Sequence, residues 1–362
     1  MNTMKRYLIT GMILVSGTVF AQDSTKEQNN KTIISGSVDA YYRFNFANPK
    51  SGNTNNLTSF TNSQNSFELG MASIRADHSF GKASAVADLG FGRRADEFSY
   101  NDGAANGFIS LANVKQLFVS YAVSDKFKLT LGKWGTHIGY EVVDAYLNRN
   151  YSMSYMFSYG PFFHTGLKAD VSLGGKSALM VGIANPTDYS TTTSSAKFVI
   201  AQFSTASSNG AVKGYLNYQG GKYAQGSNLH QVDVVVTGTV TSKFSIGYNG
   251  TVQIRKPAGA SGNSWWASAL YLNVDPTSKF GLTLRSEYFD DKKGLLTNAT
   301  GNPVLGMGNV FATTLSGNIK AGNLVIIPEL RLDNASKDIF EKNEGNSTKS
   351  SFSGLLAVAY RF

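Results

Sequence analysis

Cysteine is absent from all 362 residues. Disulfide-stapled folds, zinc fingers, iron–sulfur sites and cysteine catalysis are therefore excluded. Charge is scarce too. Asp, Glu, Lys and Arg make up 16% of the chain, against roughly 25% in an average soluble domain. Past the N-terminal segment no uncharged apolar run reaches the roughly 18 residues a membrane helix needs. The net charge is +9, but no dense Lys/Arg run concentrates it, so nucleic acid is not an expected partner. What is present is aromatic and small: 18 Tyr, 23 Phe and 37 Gly. A disordered chain lacks so much aromatic and β-branched material.

The first residues carry an export signal. Lys5 and Arg6 precede an apolar stretch from Leu8 to Phe20, and Val19-Phe20-Ala21 suits cleavage before Gln22. The expected organisation is a signal peptide over 1–21, a short periplasmic segment over 22–32 and one outer-membrane barrel over 33–362. Gln22 to Thr32 is too short to form a plug domain, and no cysteine at the cut offers a lipid anchor.

The dominant pattern is period-two alternation, which marks strands with two different faces. Ile34, Gly36, Val38, Ala40, Tyr42, Phe44 and Phe46 share one face; Ser35, Ser37, Asp39, Tyr41, Arg43 and Asn45 share the other. Sixteen such segments are predicted, at 33–46, 66–79, 83–95, 113–123, 127–135, 162–173, 177–185 and 196–206, then 211–219, 228–240, 244–255, 264–274, 280–289, 309–320, 324–333 and 350–362. Several are long enough to cross a bilayer when tilted, and short connections alternate with long ones. That sorting fits an all-β, transmembrane, antiparallel up-and-down β-barrel with short periplasmic turns and long extracellular loops. Fourteen or eighteen strands remain alternatives, because 196–206 alternates poorly and the apolar face of 66–79 switches between Met71 and Ile74. The switch suggests a bulge. Pro328, inside a predicted strand, suggests another.

Three short turns share their wording and end in Phe127, Phe244 and Phe280, each after a lysine. These phenylalanines are expected to form a periplasmic aromatic girdle. The final strand closes on Tyr360 and Phe362, a terminus that resembles the sorting signal read by the barrel-assembly machinery of Gram-negative bacteria.

Sixteen strands enclose a lumen too wide for their own side chains to fill. The inward face carries Asp39, Arg43, Asp88, Lys128, Lys168, Asp170, Lys213, Asp233, Arg255, Arg285, Glu287, Glu329 and Arg331, groups that need water or a partner. Basic members slightly outnumber acidic ones, which suggests a mild anion preference. The long loop from Gly135 to Pro161 is aromatic and apolar, unlike the Asn/Ser/Gly-rich 47–65. It is expected to fold inward and form a constriction, with His137 in its wall and Glu141, Asp144 and Arg149 exposed to permeating solute. Capping the barrel or packing a neighbouring subunit is the alternative.

At this loop the chain resembles a known family. Leu131-Gly-Lys-Trp-Gly-Thr-His-Ile-Gly-Tyr-Glu141, Asn150-Tyr-Ser-Met-Ser154 and Gly160-Pro-Phe-Phe-His-Thr-Gly166 are similar to the OmpL-like β-barrel porins of Bacteroidetes and related Gram-negative bacteria. The resemblance implies an outer-membrane porin-like barrel and carries over no catalytic residue.

Three functions follow in order. The first is a water-filled diffusion channel for small hydrophilic solutes or ions, narrowed by loop 136–160. The second is a scaffold in a surface complex, with a blocked lumen. The third is an outer-membrane hydrolase, for which His137 and Glu141 on one helical face, or His164, are the only candidates; no nucleophile elbow, paired carboxylate or metal cluster accompanies them. No cofactor or metal is implied. Expected partners are outer-membrane lipid and lipopolysaccharide, the assembly machinery during biogenesis, and further copies of the chain, with a homotrimer as one arrangement.

Overall fold

The computed structural model describes residues 30–102 and 109–362. The proposed signal peptide and residues 22–29 of the 22–32 segment lie outside the described residues. The strands are β1 (Lys31–Asn45), β2 (Ser66–Phe80), β3 (Ala83–Phe91), β4 (Val114–Ser124), β5 (Phe127–Gly135), β6 (Phe163–Gly174), β7 (Ser177–Ala184), β8 (Phe198–Ala206) and β9 (Val212–Lys222). They continue as β10 (Asn228–Thr241), β11 (Phe244–Lys256), β12 (Asn263–Thr277), β13 (Phe280–Asp290), β14 (Asn309–Ala321), β15 (Leu324–Ala335), β16 (Phe340–Glu341), β17 (Ser347–Thr348) and β18 (Ser350–Arg361). All but β16 and β17 join one closed antiparallel barrel of sixteen strands, sealed where β18 pairs with β1 from Ser37↔Arg361 to Asn45↔Ser353. The two short strands form a small hairpin in the last long connection.

The faces separate as the alternation requires. Leu117, Val119, Leu131 and Ile183 lie exposed on the outer wall, whereas Asp39, Arg43, Arg285 and Glu329 are buried inside. A continuous exposed apolar belt on a closed barrel is a surface for lipid. Seven connections of two to five residues define one rim, and the longer loops, together with two short ones over 223–227 and 257–262, define the other.

Several boundaries differ from expectation. The first strand starts at Lys31, inside the segment expected to precede it. The third ends at Phe91, not 95, because Gly92 (φ 106°) turns the chain into helix α1 (Arg93–Phe98). Segment 196–206 is an ordinary strand with unbroken register to both neighbours. Its alternation fails because its lumen face carries Phe198 and Ile200, both fully buried. The bulge in β2 is present: Val38 faces Ala72 but Ala40 faces Leu69, so two residues oppose Asp39. Both Leu69 and Ile74 can then face outward.

Pro328 makes no bulge. The β14–β15 register is the same on either side of it, with Ser316↔Glu329 before and Ile319↔Ile326 after. Opposite it stands Gly317, where a Cβ would lie 3.2 Å from the proline ring, so the glycine makes room for the pyrrolidine.

Candidate functional site: the loop inside the barrel

The connection from Thr136 to Phe162 runs inside the barrel, and wall side chains satisfy its backbone. It has little regular structure, a 3-10 turn over Ala145–Leu147 and helix α2 (Tyr155–Ser158). Its peptide groups therefore need partners from elsewhere. Acidic wall residues accept its N–H groups. Asp233 on β10 accepts from Gly139 at 3.1 Å, and Glu287 on β13 accepts from Tyr155 and Met156 at 2.8 Å each, capping α2 from outside. Glu329 on β15 accepts from Tyr151 at 2.9 Å and Ser152 at 3.2 Å.

Buried arginines grip its carbonyls. Arg285 donates to Ser152 O at 2.7 Å and Arg331 to Met153 O at 2.7 Å, while Arg331 also pairs with Asp333 at 3.0 Å.

The loop returns charges to the wall. Glu141 pairs with Arg285 at 2.5 Å and accepts from Ser154 N and Oγ, both at 2.8 Å. Asp144 pairs with Lys115 on β4 at 2.5 Å. Arg149 makes a two-pronged contact with Asp275 on β12, 3.0 Å for each prong, and donates to Thr283. The Tyr151 hydroxyl donates to Asp39 at 2.5 Å. That contact needs glycine at 70, one of the two bulge residues opposite Asp39, since a Cβ there would lie 1.8 Å from the same carboxylate oxygen. The Tyr140 ring stacks on Tyr271, centroids 4.1 Å apart, and occupies the space left by Gly247.

His137 donates through Nε2 to Tyr218 O at 3.1 Å, and its own carbonyl accepts from Gln202. Burial pushes its imidazole down to about 4, so it is neutral in ordinary conditions. His164 on β6 lies beside it, ring centroids 5.0 Å apart, and contacts Thr136 Oγ1 at 3.2 Å.

Several sequence expectations need correction here. His137, Glu141 and Asp144 share no helical face: they reach β9, β13 and β4 respectively. Glu141 is 6% exposed, paired and covered rather than open to solute. His137, Arg43, Arg285, Glu287, Glu329 and Arg331 are likewise buried, because the loops lie on them. Lys168, Asp170, Lys213 and Arg149 stay half-buried, and Arg255 is exposed. Phe127, Phe244 and Phe280 are half-buried on outward positions at the short-turn rim. Phe362 closes the last strand, its backbone exchanging two 3.0 Å hydrogen bonds with Gly36 and its ring lying over that glycine. Tyr360, two residues earlier, is exposed on the same outer wall.

Loop 47–65 is no solvated tether. Arg43 donates to Thr54 O and Ser63 O, and Phe60 is fully buried. Phe60 joins Phe98, Val143, Met153, Phe157, Phe162 and Phe163 in an apolar cluster. Arg94 of α1 lies beneath it, 4.9 Å from the Phe60 ring centroid and 4.7 Å from that of Tyr151. Phe60, Arg94 and Phe98 escaped the sequence reading. An aromatic residue amid Asn/Ser/Thr at 54–65 was the available signal.

A closed barrel with an apolar outer belt, an ionic inner wall and a long loop folded inward defines the class of outer-membrane porins. The same fold occurs in an anion-selective porin from Comamonas acidovorans (TM-score 0.61, 11% identity, covering 92% of this chain and all of that one). It occurs also in the outer membrane channel DcaP of Acinetobacter baumannii (0.60, 11%, 94% and 99%) and in the trimer form of in-vitro folded OmpT from Vibrio cholerae (0.58, 10%, 92% and 99%). The chain itself belongs to the family described as Putative beta-barrel porin-2, OmpL-like, whose pattern matches residues 31–362. No curated protein shows a significant sequence match. Family and fold together place the barrel in the outer membrane and point to a channel rather than an enzyme.

Proposed function

We propose that the barrel is a diffusion channel for small hydrophilic solutes or ions, narrowed by loop 136–160. The observation that carries this reading is the set of contacts joining the loop to β1, β4 and β9 through β15, which hold it across the lumen. Half-buried Lys128 and Lys168, which share Asp170, and half-buried Lys213 support a mild anion preference. An anion-selective porin among the fold relatives agrees with it. The export signal over 1–21, the girdle of Phe127, Phe244 and Phe280, and an assembly signal at Tyr360 and Phe362 belong to the same reading. So do lipopolysaccharide around the outer rim and assembly as a homotrimer, a form in which one fold relative was solved.

Single-channel recording of the refolded mature barrel in a planar bilayer tests the proposal. Steady steps that grow when loop 136–160 is deleted support it. Arg149→Ala, which frees one tether and leaves the loop present, should give noisier and larger steps. An inserted but silent barrel rejects it.

A second reading, a scaffold with a blocked lumen, draws on the apolar clusters inside the long-loop half, Phe60 to Phe163 and Tyr155 to Ala312. The silent outcome selects it, and capture of a partner through the outer loops would then be the next measurement.

A further inference from the structure

At the long-loop mouth, where the connections 223–227 and 257–262 are shortest, a cavity of about 400 Å³ is lined by Tyr189, Tyr223, Gln225, Ser227, Arg255 and Asn263 among others. Among the described residues no carboxylate lines it. Arg255 lies over the Tyr223 ring, 4.7 Å from its centroid, and among the described residues it meets no acidic partner. Tyr223 is held in turn by the fully buried Phe198, which meets it edge-on at 5.1 Å. An arginine braced on an aromatic face keeps its fork free and oriented for a planar anion. Lys222 and Lys256 flank the cavity on β9 and β11, both in register with Asn228, and add positive potential.

The remaining lining separates one anion class from another. Gln225, Ser227 and Asn263 offer neutral donors and acceptors that make no side-chain hydrogen bonds within the described chain. Tyr189 adds aromatic surface. A bare inorganic anion would use the arginine and leave these groups idle. A sugar ring uses all of them, since its hydroxyls need mixed donors and acceptors and its C–H face packs on aromatic rings. The volume suits one or two sugar rings. We infer that this mouth cavity recognises sugar acids, with Arg255 taking the carboxylate, Gln225, Ser227 and Asn263 the hydroxyls, and the tyrosines the ring.

This site rests on the channel reading for its purpose, as the place where solute is captured before entry. Its test does not need conduction. Saturation-transfer NMR on the refolded barrel in detergent micelles should detect glucuronate, with glucose and acetate each binding about tenfold more weakly because each lacks half of the contacts. Arg255→Ala should weaken glucuronate about tenfold or more, and Arg255→Lys by less, because lysine keeps the charge and loses the fork. Lys256→Ala removes the same charge at a position outside the lining, where it adds only to the potential, and should weaken glucuronate far less than Arg255→Ala does.

Each variant is first checked for the heat-modifiable migration of a closed barrel. Unchanged binding in Arg255→Ala, equal weakening in Lys256→Ala, or acetate as effective as glucuronate overturns the inference. A silent barrel that binds glucuronate keeps the site and loses the channel; a conducting barrel that ignores it loses the site alone.

Discussion

Glu141 and Arg285 stand 144 residues apart in sequence and 2.5 Å apart in space, both almost completely covered. Breaking one side of such a pair leaves a buried charge alone, which costs about 3–5 kcal/mol. Glu141→Ala should therefore lower the stability of the closed form by that order, read as a shift of the denaturant midpoint of the barrel in micelles. Arg285→Ala should cost at least as much, because Ser152 O, Met153 O and Thr314 also lose a donor. Asp188, in the connection 185–197, makes a different prediction. It accepts from Phe162 N, Phe163 N and the Tyr100 hydroxyl, and burial pushes its carboxyl up to about 7. The folded form then binds a proton that the unfolded chain releases near 4. Stability from this group is fully present below the unfolded value and falls as pH rises from about 4 to about 7. The unfolding midpoint of wild type should drop across that window, and Asp188→Asn should flatten the drop.

Elements were legible wherever two solvents met. Lipid outside and polar wall inside impose period two on each strand, and that pattern reads directly from Ile34 to Phe46. It failed where one face changed its environment. In β8 the lumen face turned apolar because Phe198 braces Tyr223 and Ile200 packs with Trp134, Met180 and Ala184. Beyond Phe91 the residues go on resembling a strand, but the backbone at Gly92 has already left it. The loop was legible only as a composition. Which wall groups hold it was not, because Asp39, Glu287 and Glu329 are indistinguishable in sequence from any hydrated lumen charge. Barrel closure makes the prediction at this scale. A Cβ on Gly36 would lie 2.5 Å from the Phe362 ring and 2.6 Å from Ser73 O. Gly36→Val should cost about 1–3 kcal/mol of overpacking at the β1–β18 seam. Gels of unheated samples should show less of the folded, fast-migrating form, whereas Gly322→Val, with open space around its Cβ but a φ of 63°, should spare the seam and disturb only its turn.

For the whole molecule, the decisive quantity is which charges stay open once the loops are in place. Arg43, Arg285 and Arg331 are consumed in holding loops, so counting them toward selectivity would mislead. Near the short-turn side Arg75 and Asp77 balance one another as a pair, and the further open charges include Lys128 and Lys168, which share Asp170 at 3.7 and 3.8 Å, and Arg149 and Lys320, which share Asp275. Lys213 on β9 adds to them with no ion-pair partner among the described residues. Two cations sharing one acid, twice over, leave this half of the lumen positive, and Lys213 is the member whose replacement disturbs no pair. Lys213→Glu should therefore move the reversal potential in a salt gradient toward cations while leaving the folded fraction unchanged. The shift should be clear near 0.1 M salt, where the screening length is about 10 Å, and shrink toward 1 M, where it is about 3 Å. A shift of equal size at both salts would mean that residue 213 alters the width of the path rather than its field. No shift at either salt would mean that ions travel along another part of the wall, away from β9, and would direct attention to the side bounded by Arg149 and Asp275.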